Sequence, residues 1–160
     1  MVTAHSEIKL SRILKENLID LELQADDKNG IIAELIELLS KSRKIRNKKL
    51  FYKAMLEREK LGSTGIGNGV AIPHAKSEGI RDFIIAFARK DSGIDFGALD
   101  GEKTYLFFAM ASSKNAVGGH LKVLAQISGL VRDKFIVDLL RKAKNKKEIL
   151  KIISDAERHS

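Results

Sequence analysis

Two of the four histidines in this chain stand in surroundings that suit chemistry, and the first is His74. It follows a glycine-rich stretch and a proline, in the segment Gly-Ser-Thr-Gly-Ile-Gly-Asn-Gly-Val-Ala-Ile-Pro-His that starts at Gly62. A neutral imidazole has an ordinary pKa near 6.5, so at neutral pH it offers a lone pair and can form a covalent intermediate. His74 is therefore a candidate nucleophile. The alternative is a satisfied polar residue at the end of a strand.

The stretch before His74 is dense in glycine, with Gly62, Gly65, Gly67 and Gly69 inside eight positions. Glycine suits a backbone that must reach positive φ or approach a ligand closely, and the amides of such loops can form an anion-binding nest. A dinucleotide fingerprint starting at Gly65 would need glycine or alanine where Val70 stands, and a P-loop would need lysine after Gly67. The pattern predicts another kind of phosphate loop, with a plain tight turn as the alternative.

The elements next to this loop would hold His74 in place. Val70 to Ile72 has the length of one short strand, and Pro73 ends it because proline has no N–H for the sheet. Before the loop, Asn47 is a predicted helix cap, and Gly62 a predicted left-handed helix stop. The core-facing residues of that helix are predicted to be Leu50, Phe51, Ala54 and Met55.

Arg58 lies on the inward face of the same helix, four residues after Ala54 and three after Met55. Its neighbours Glu57 and Glu59 are predicted to face elsewhere. An inward guanidinium needs an anion, and the nearest along the chain is whatever occupies the glycine loop. The alternative is an arginine with a packed stem and its charged head in water.

His120 is the second histidine of interest. It begins a stripe on one face of a predicted helix that follows Gly118 and Gly119. In the first turn, unpaired N–H groups and the positive end of the helix dipole favour anions. The alternative is a histidine that only packs. The other two histidines, His5 and His159, lie near the chain ends and are poor candidates for a site.

The rest of the chain alternates predicted strands with predicted helices, which predicts an α/β sandwich with a central sheet covered on both sides. Two nearly continuous apolar runs are predicted to be its central strands, and an alternating segment to be its first strand. These are Phe83 to Arg89, Thr104 to Ala111 and Ile19 to Leu23, with a loop from Asp91 to Gly101. Helices are predicted over 9–14, after a cap at Asp26 or Asp27, and from Lys146 to Ile153.

Length and composition limit the classes of protein to consider. A chain of 160 residues suits one domain, 1–160, with a single core. The longest apolar run, Tyr105 to Ala111, falls far short of the ~20 residues of a membrane span. No cysteine is present, which excludes disulfides and thiolate metal sites and fits the reducing cytoplasm. No cluster of acidic residues suggests a metal site, so no metal or cofactor is expected.

The net charge of +8 keeps a second class open, a basic nucleic-acid-binding module in which the glycine loop is structural. The bases concentrate in two clusters, Lys41 to Lys49 and Arg141 to Lys147. Neither cluster is interleaved with the aromatic side chains that stack on bases, so nucleic acid is not the expected partner.

Residues 58 to 76, from Arg-Glu-Lys-Leu-Gly-Ser-Thr-Gly through Ala-Ile-Pro-His-Ala-Lys, resemble the active-site signature of a known family. It is enzyme IIA of the bacterial phosphoenolpyruvate-dependent phosphotransferase system, in the fructose, mannitol and nitrogen-regulatory class (type 2). The resemblance extends more loosely over almost the whole chain, including His-Leu-Lys-Val-Leu-Ala from His120. Ala75 departs from it, since glycine is frequent there. The family implies an α/β fold with a mixed, mostly parallel five-stranded sheet between helices.

The resemblance also implies a function, phosphoryl transfer through a phosphohistidine. His74 would carry the phosphoryl group on Nε2, assisted by His120, Arg58 and Thr64. The phosphate-binding loop would comprise Ser63, Gly65, Gly67 and Gly69. The donor would be the carrier protein HPr or its nitrogen-branch counterpart. The recipient would be an enzyme IIB in sugar uptake, or the phosphorylation state would instead control binding to a regulated target protein.

Overall fold

The computed structural model describes residues 8–159, so His5 lies outside the described residues. Within this range the strands are β1 (Ile19–Asp20), β2 (Gly65–Gly67), β3 (Val70–Ala71), β4 (His74–Lys76), β5 (Phe83–Ile94) and β6 (Thr104–Ser112). The α-helices are α1 (Leu10–Ile13), α2 (Lys28–Ser40), α3 (Lys48–Lys60), α4 (Val117–Val131), α5 (Lys134–Lys142) and α6 (Lys146–Arg158).

The strands form one mixed sheet in the order β1-β5-β6-β3-β2, and β4 also pairs with β6. The pairs β1–β5, β3–β6 and β4–β6 are parallel, whereas β5–β6 and β2–β3 are antiparallel. The predicted mixed, mostly parallel sheet is thus confirmed, and its two long strands run antiparallel to each other.

In the described part of the chain the sheet has six strand segments where the resemblance implies five, because Pro73 divides the stretch 70–76. Proline cannot donate to the ladder, so β3 stops before it and β4 resumes after it. Both segments keep one register along β6, since Ala71 lies opposite Phe107 and His74 opposite Met110. His74 therefore lies at the first position of a new strand segment.

Helices cover both faces of the sheet. Every residue from 84 to 90 and from 106 to 112 is buried, and successive side chains of a strand point to opposite faces. On one side α2 packs on β5 and β6, and α3 packs on α2 and β4. Helix α5 packs on β6 and contacts α4 and α6, which both contact α1. The contact between α3 and β4 brings the end of α3 beside His74.

Local capping explains where the predicted helices begin. The Asp27 side chain accepts a hydrogen bond from the Gly30 N–H, and the Asn47 side chain accepts one from the Leu50 N–H. Both predicted caps are therefore confirmed. Helix α5 was not predicted, because it is only nine residues long and its end falls in a basic cluster.

Four details of the predicted elements were wrong. Strand β1 ends at Asp20, whose carboxylate accepts from the Glu22 N–H and turns the chain. Strand β5 continues beyond Arg89 to Ile94 through a shift in register, with Gly93 at a φ of 70°. Leu50 is 42% exposed rather than in the core. Helix α4 begins at Val117, so Gly118 and Gly119 lie inside its first turn rather than before the helix.

Candidate functional site

The ring of His74 is held by the backbone just before it. Its Nδ1 lies 2.6 Å from the carbonyl oxygen of Ile72. A carbonyl oxygen only accepts hydrogen bonds, so Nδ1 must carry the proton in this contact. In the neutral ring the lone pair then belongs to Nε2, the nitrogen available for bond formation.

The surroundings of His74 lower its pKa below 6.5. Burial of the half-buried ring is the largest cause, and the positive charges of Arg58 and Lys76 act in the same direction. The Ile72 carbonyl and the carboxylate of Glu59 oppose the effect without reversing it. The imidazole is therefore neutral at neutral pH, the state in which nitrogen is a nucleophile.

His120 lies against His74, as a common site requires. The two ring centroids are 5.3 Å apart and the ring planes meet at 63°. The register of β4 on β6 explains the approach, because Lys76 lies opposite Ser112 and the chain enters α4 soon after Ser112. His120 is only 4% exposed, and Ser112 Oγ lies 2.8 Å from its Nδ1. Burial, followed by the neighbouring His74 and Lys76, lowers the pKa of His120 to about 4.

Arg58 lies in the last turn of α3 and is half-buried. Its Nη1 donates a hydrogen bond to the carbonyl of Gly62 at 2.9 Å. Its charge also contributes to the lowered pKa of His74. Helix α3 thus brings one guanidinium to the imidazole, while the contact with Gly62 attaches that guanidinium to the start of the glycine-rich segment.

Glu59 belongs to the same site, and the prediction that it faces elsewhere was wrong. Its carboxylate is buried, accepts a hydrogen bond from the Thr64 N–H at 3.2 Å and lies 2.8 Å from Lys28 Nζ. Its charge raises the pKa of His74, opposing Arg58. The four-residue steps from Phe51 to Met55 to Glu59 could have revealed its inward position, since residues four apart share a helix face.

Thr64 is buried, and its hydroxyl donates a hydrogen bond to the Glu59 carboxylate. The hydroxyl proton therefore has an acceptor within the chain. A direct contact between this hydroxyl and a phosphoryl group would require the hydroxyl to leave the carboxylate, so that contact stays a prediction.

The glycine-rich segment folds as a β-hairpin, in which β2 and β3 are joined by Asn68 and Gly69. Both turn residues have positive φ, 57° and 80°, as the type I′ turn of tight hairpins requires. The Asn68 N–H donates to the Asp100 carboxylate at 3.1 Å, and the Gly65 N–H donates to Ser63 Oγ at 2.9 Å. These two amides already have partners.

The predicted phosphate-binding loop is thus found in an ordered hairpin close to Glu59. Ser63 donates its hydroxyl to the carbonyl of Phe96 at 2.7 Å, and a Cβ on Gly67 would lie 3.1 Å from the Asp100 carboxylate. Four residues were assigned to phosphate binding, and that role stays a prediction for each of them: Ser63, Gly65, Gly67 and Gly69.

Four large apolar side chains are exposed on segments that adjoin the site residues in sequence or are hydrogen-bonded to the hairpin. Leu61 is 85% exposed, Ile66 41%, Leu99 87% and Leu121 59%. The Leu99 N–H donates to the Gly65 carbonyl at 3.4 Å, which attaches the 95–101 segment to the hairpin.

Neither a metal site nor a membrane-spanning helix is found among residues 8–159. No group of three or more histidine, cysteine, aspartate or glutamate side chains in that range is arranged to hold a metal ion. No helix in the same range is long and apolar enough to cross a membrane.

Comparison with known proteins identifies the class that this fold and site define. The family model described as "Phosphoenolpyruvate-dependent sugar phosphotransferase system, EIIA 2" matches residues 12–156. The chain belongs to this family.

Its relatives include a transport component and nitrogen regulatory proteins. The chain is 33% identical over 151 residues to the PTS system fructose-specific EIIABC component of Bacillus subtilis, a match that covers 94% of this chain but only 24% of that protein. It is 32% identical to the nitrogen regulatory protein of Klebsiella oxytoca, covering 98% of this chain and 96% of the relative. The crystal structure of nitrogen regulatory protein IIA-Ntr from Neisseria meningitidis superimposes with a TM-score of 0.84 at 32% identity, covering 90% and 98% of the two chains.

Proposed function

We propose that the chain is a phosphoryl-transfer protein that accepts a phosphoryl group on Nε2 of His74 from the phosphohistidine of an HPr-type carrier. The observation that carries this proposal is the contact between His74 Nδ1 and the Ile72 carbonyl, because it leaves the lone pair on Nε2. The lowered pKa of His74 supports the same conclusion, since a protonated ring has no lone pair to donate.

The transfer is a displacement at phosphorus. The lone pair of His74 Nε2 forms the new N–P bond as the N–P bond to the carrier imidazole breaks, and the electron pair of that bond returns to the carrier. The transferred group carries negative charge on its three equatorial oxygens, so positioning and charge stabilisation are the main tasks of the protein. Arg58 supplies a positive charge, and His120 is the neighbouring imidazole at 5.3 Å between centroids.

The phosphorylated protein would then have one of two uses. It passes the group to an enzyme IIB in sugar uptake, or its phosphorylation state controls a regulated target protein. Two relatives named as nitrogen regulatory proteins match over nearly their whole length, which supports regulation, whereas two fructose-specific relatives, one of them also matched over nearly its whole length, support transport. Incubation of the phosphorylated protein with a fructose-type IIB separates the two, because only the transport role requires the label to move to IIB.

The central test is phosphorylation in vitro. The protein is incubated with labelled phosphoenolpyruvate, enzyme I and HPr, or the nitrogen-branch counterparts of these carriers, and the phosphate is mapped by mass spectrometry. We expect one acid-labile, alkali-stable phosphate on His74 and none in His74→Gln. His159→Gln removes an exposed histidine at the end of α6 and is the matched control, which should accept phosphate normally. Full phosphorylation of His74→Gln at another histidine would refute the proposal.

A further inference from the structure

The most informative contact outside the reacting nitrogen joins Ser112, the last residue of β6, to His120 in α4. Ser112 Oγ and His120 Nδ1 are 2.8 Å apart, with Ser112 fully buried and His120 4% exposed. Either group could be the donor, because a hydroxyl donates and accepts while a neutral imidazole has one N–H and one lone pair. Which group donates determines the nitrogen of His120 that bears the proton.

The hydrogen-bond inventory of Ser112 resolves this choice. Among residues 8–159, His120 Nδ1 is the only hydrogen-bond partner of Ser112 Oγ. If Nδ1–H were the donor, the buried hydroxyl proton would have no acceptor, and an unsatisfied buried donor is unfavourable. If the hydroxyl donates, both its proton and the Nδ1 lone pair are satisfied. The proton of the neutral ring is then on Nε2.

The other nitrogen of His120 remains available for a ligand. His120 Nε2 has no hydrogen-bond partner in the described part of the chain. With a pKa of about 4, the ring is neutral at neutral pH and has a single N–H to offer. A bare Nε2 would repel phosphoryl oxygens, whereas an Nε2–H would donate to them.

We propose that Ser112 is a positioning residue that holds His120 as the Nε2–H tautomer, so that His120 donates a hydrogen bond to the phosphoryl group on His74. The Ile72 carbonyl holds His74 in the opposite tautomer, with the proton on Nδ1. The two adjacent rings thus present one bare nitrogen for the N–P bond and one N–H for the phosphoryl oxygens. This inference rests on the proposed function of His74, but the tautomer it assigns exists in the unphosphorylated protein.

Nitrogen-15 NMR of the unphosphorylated wild-type protein at pH 7 tests the tautomer directly. We expect a protonated Nε2 and an unprotonated Nδ1 for His120, and the reverse for His74. In Ser112→Ala the Nδ1–H form of His120 should become detectable, while Ser113→Ala, a change at the adjacent half-buried serine, should leave the tautomer unchanged. A proton on Nδ1 of His120 in the wild type overturns the proposal, and this measurement does not depend on how well Ser112→Ala folds.

Transfer kinetics test the role of the contact. Ser112→Ala should slow transfer within the complex by roughly two- to tenfold, the worth of one neutral hydrogen bond, and leave KM for the carrier unchanged. In a His120→Ala background the same change should have no further effect, because the contact is already gone. Independent, multiplying losses would assign Ser112 a structural role and overturn the proposal. Failure of His74 to accept phosphate, with the tautomers as expected, would instead refute the proposed function.

Discussion

Two charges of opposite sign lie next to each other on α3 and act on the same imidazole. Arg58 lowers the pKa of His74 and Glu59 raises it. The carboxylate of Glu59 is itself held by Lys28 and by the backbone and hydroxyl of Thr64. The effects of Arg58 and Glu59 on the pKa of His74 therefore partly cancel. Burial of the ring lowers this pKa more than either charge changes it.

This balance predicts opposite shifts for two variants. Arg58→Gln should raise the pKa of His74, because a neighbouring positive charge is lost, and Glu59→Gln should lower it. Both are measured by NMR titration of the His74 ring. The matched control is Glu57→Gln, which removes an exposed carboxylate of α3 that is not among the charges acting on His74. Shifts of the same sign in the two variants would contradict the assignment.

At the scale of elements, the hairpin and the end of β5 both depend on positions with positive φ. Gly93 has a φ of 70°, and a Cβ there would lie 2.6 Å from the ring of Tyr105. That ring also carries the Arg141 guanidinium 3.6 Å from its centroid, so it connects β6 to the end of α5. Gly101 has nearly the same φ, 74°, but open space where a Cβ would stand.

These two glycines predict a graded loss of stability. Gly101→Ala carries only the conformational cost of a left-handed residue, about 1–2 kcal/mol. Gly93→Ala should lose about 1–3 kcal/mol more, because the new methyl group displaces the Tyr105 ring. Urea unfolding midpoints of the two variants measure the difference. Equal midpoints would show that the ring moves aside without cost.

At the scale of the whole molecule, stability should depend on pH through the two histidines of the site. Both have folded pKa values below 6.5, so the unfolded chain binds more protons as the pH falls. Their contribution is complete above about pH 6.5 and is lost as the pH falls towards the folded values. For His120, with a folded pKa of about 4, the loss between pH 7 and pH 5 is up to about 2 kcal/mol.

Unfolding in urea at pH 7 and pH 5 measures this dependence. The double variant His74→Gln with His120→Gln should show a smaller loss across the same interval, because it lacks both imidazoles. Retention of the full wild-type pH dependence in the double variant would assign it to other groups.

The net charge of +8 also belongs to the whole molecule. In the first basic cluster Lys44 and Lys48 form ion pairs with Asp82 and Glu37, whereas Arg46 and Lys49 are exposed and form none with the described residues. If the cluster guides an acidic partner, Arg46→Glu with Lys49→Glu should slow second-order phosphoryl transfer at low salt, and less at high salt.

The second basic cluster offers a matched control for the double variant at Arg46 and Lys49. Lys144→Glu with Lys147→Glu makes the same change in net charge at exposed positions before and in α6. A slower rate for only one double variant would locate the docking surface. Wild-type rates for both, at either salt concentration, would assign the charge to solubility.

The sequence alone determined the features that depend on local chemistry. The cap at Asn47, a cap at Asp26 or Asp27, the break at Pro73 and the two central apolar strands follow from propensities of a few consecutive residues. All are present, with Asp27 as the first cap. Helix α5 was not predicted, because its amphipathic pattern is short and ends in basic residues. Strand β5 extends beyond its predicted end at Arg89, through residues typical of turns, because its pairing with β6 continues to Ile94.

Only the tertiary structure decided the relations between distant segments. The register of β4 on β6 places His74 beside His120, and no local pattern specifies that pairing. The tautomers of the two rings depend on Ile72 and Ser112, and the burial of Glu59 on Lys28 and Thr64. Residue types and spacing identify the groups that can react. Their protonation and mutual geometry are set by partners that the fold brings together, because pKa values and hydrogen bonds respond to neighbours in space.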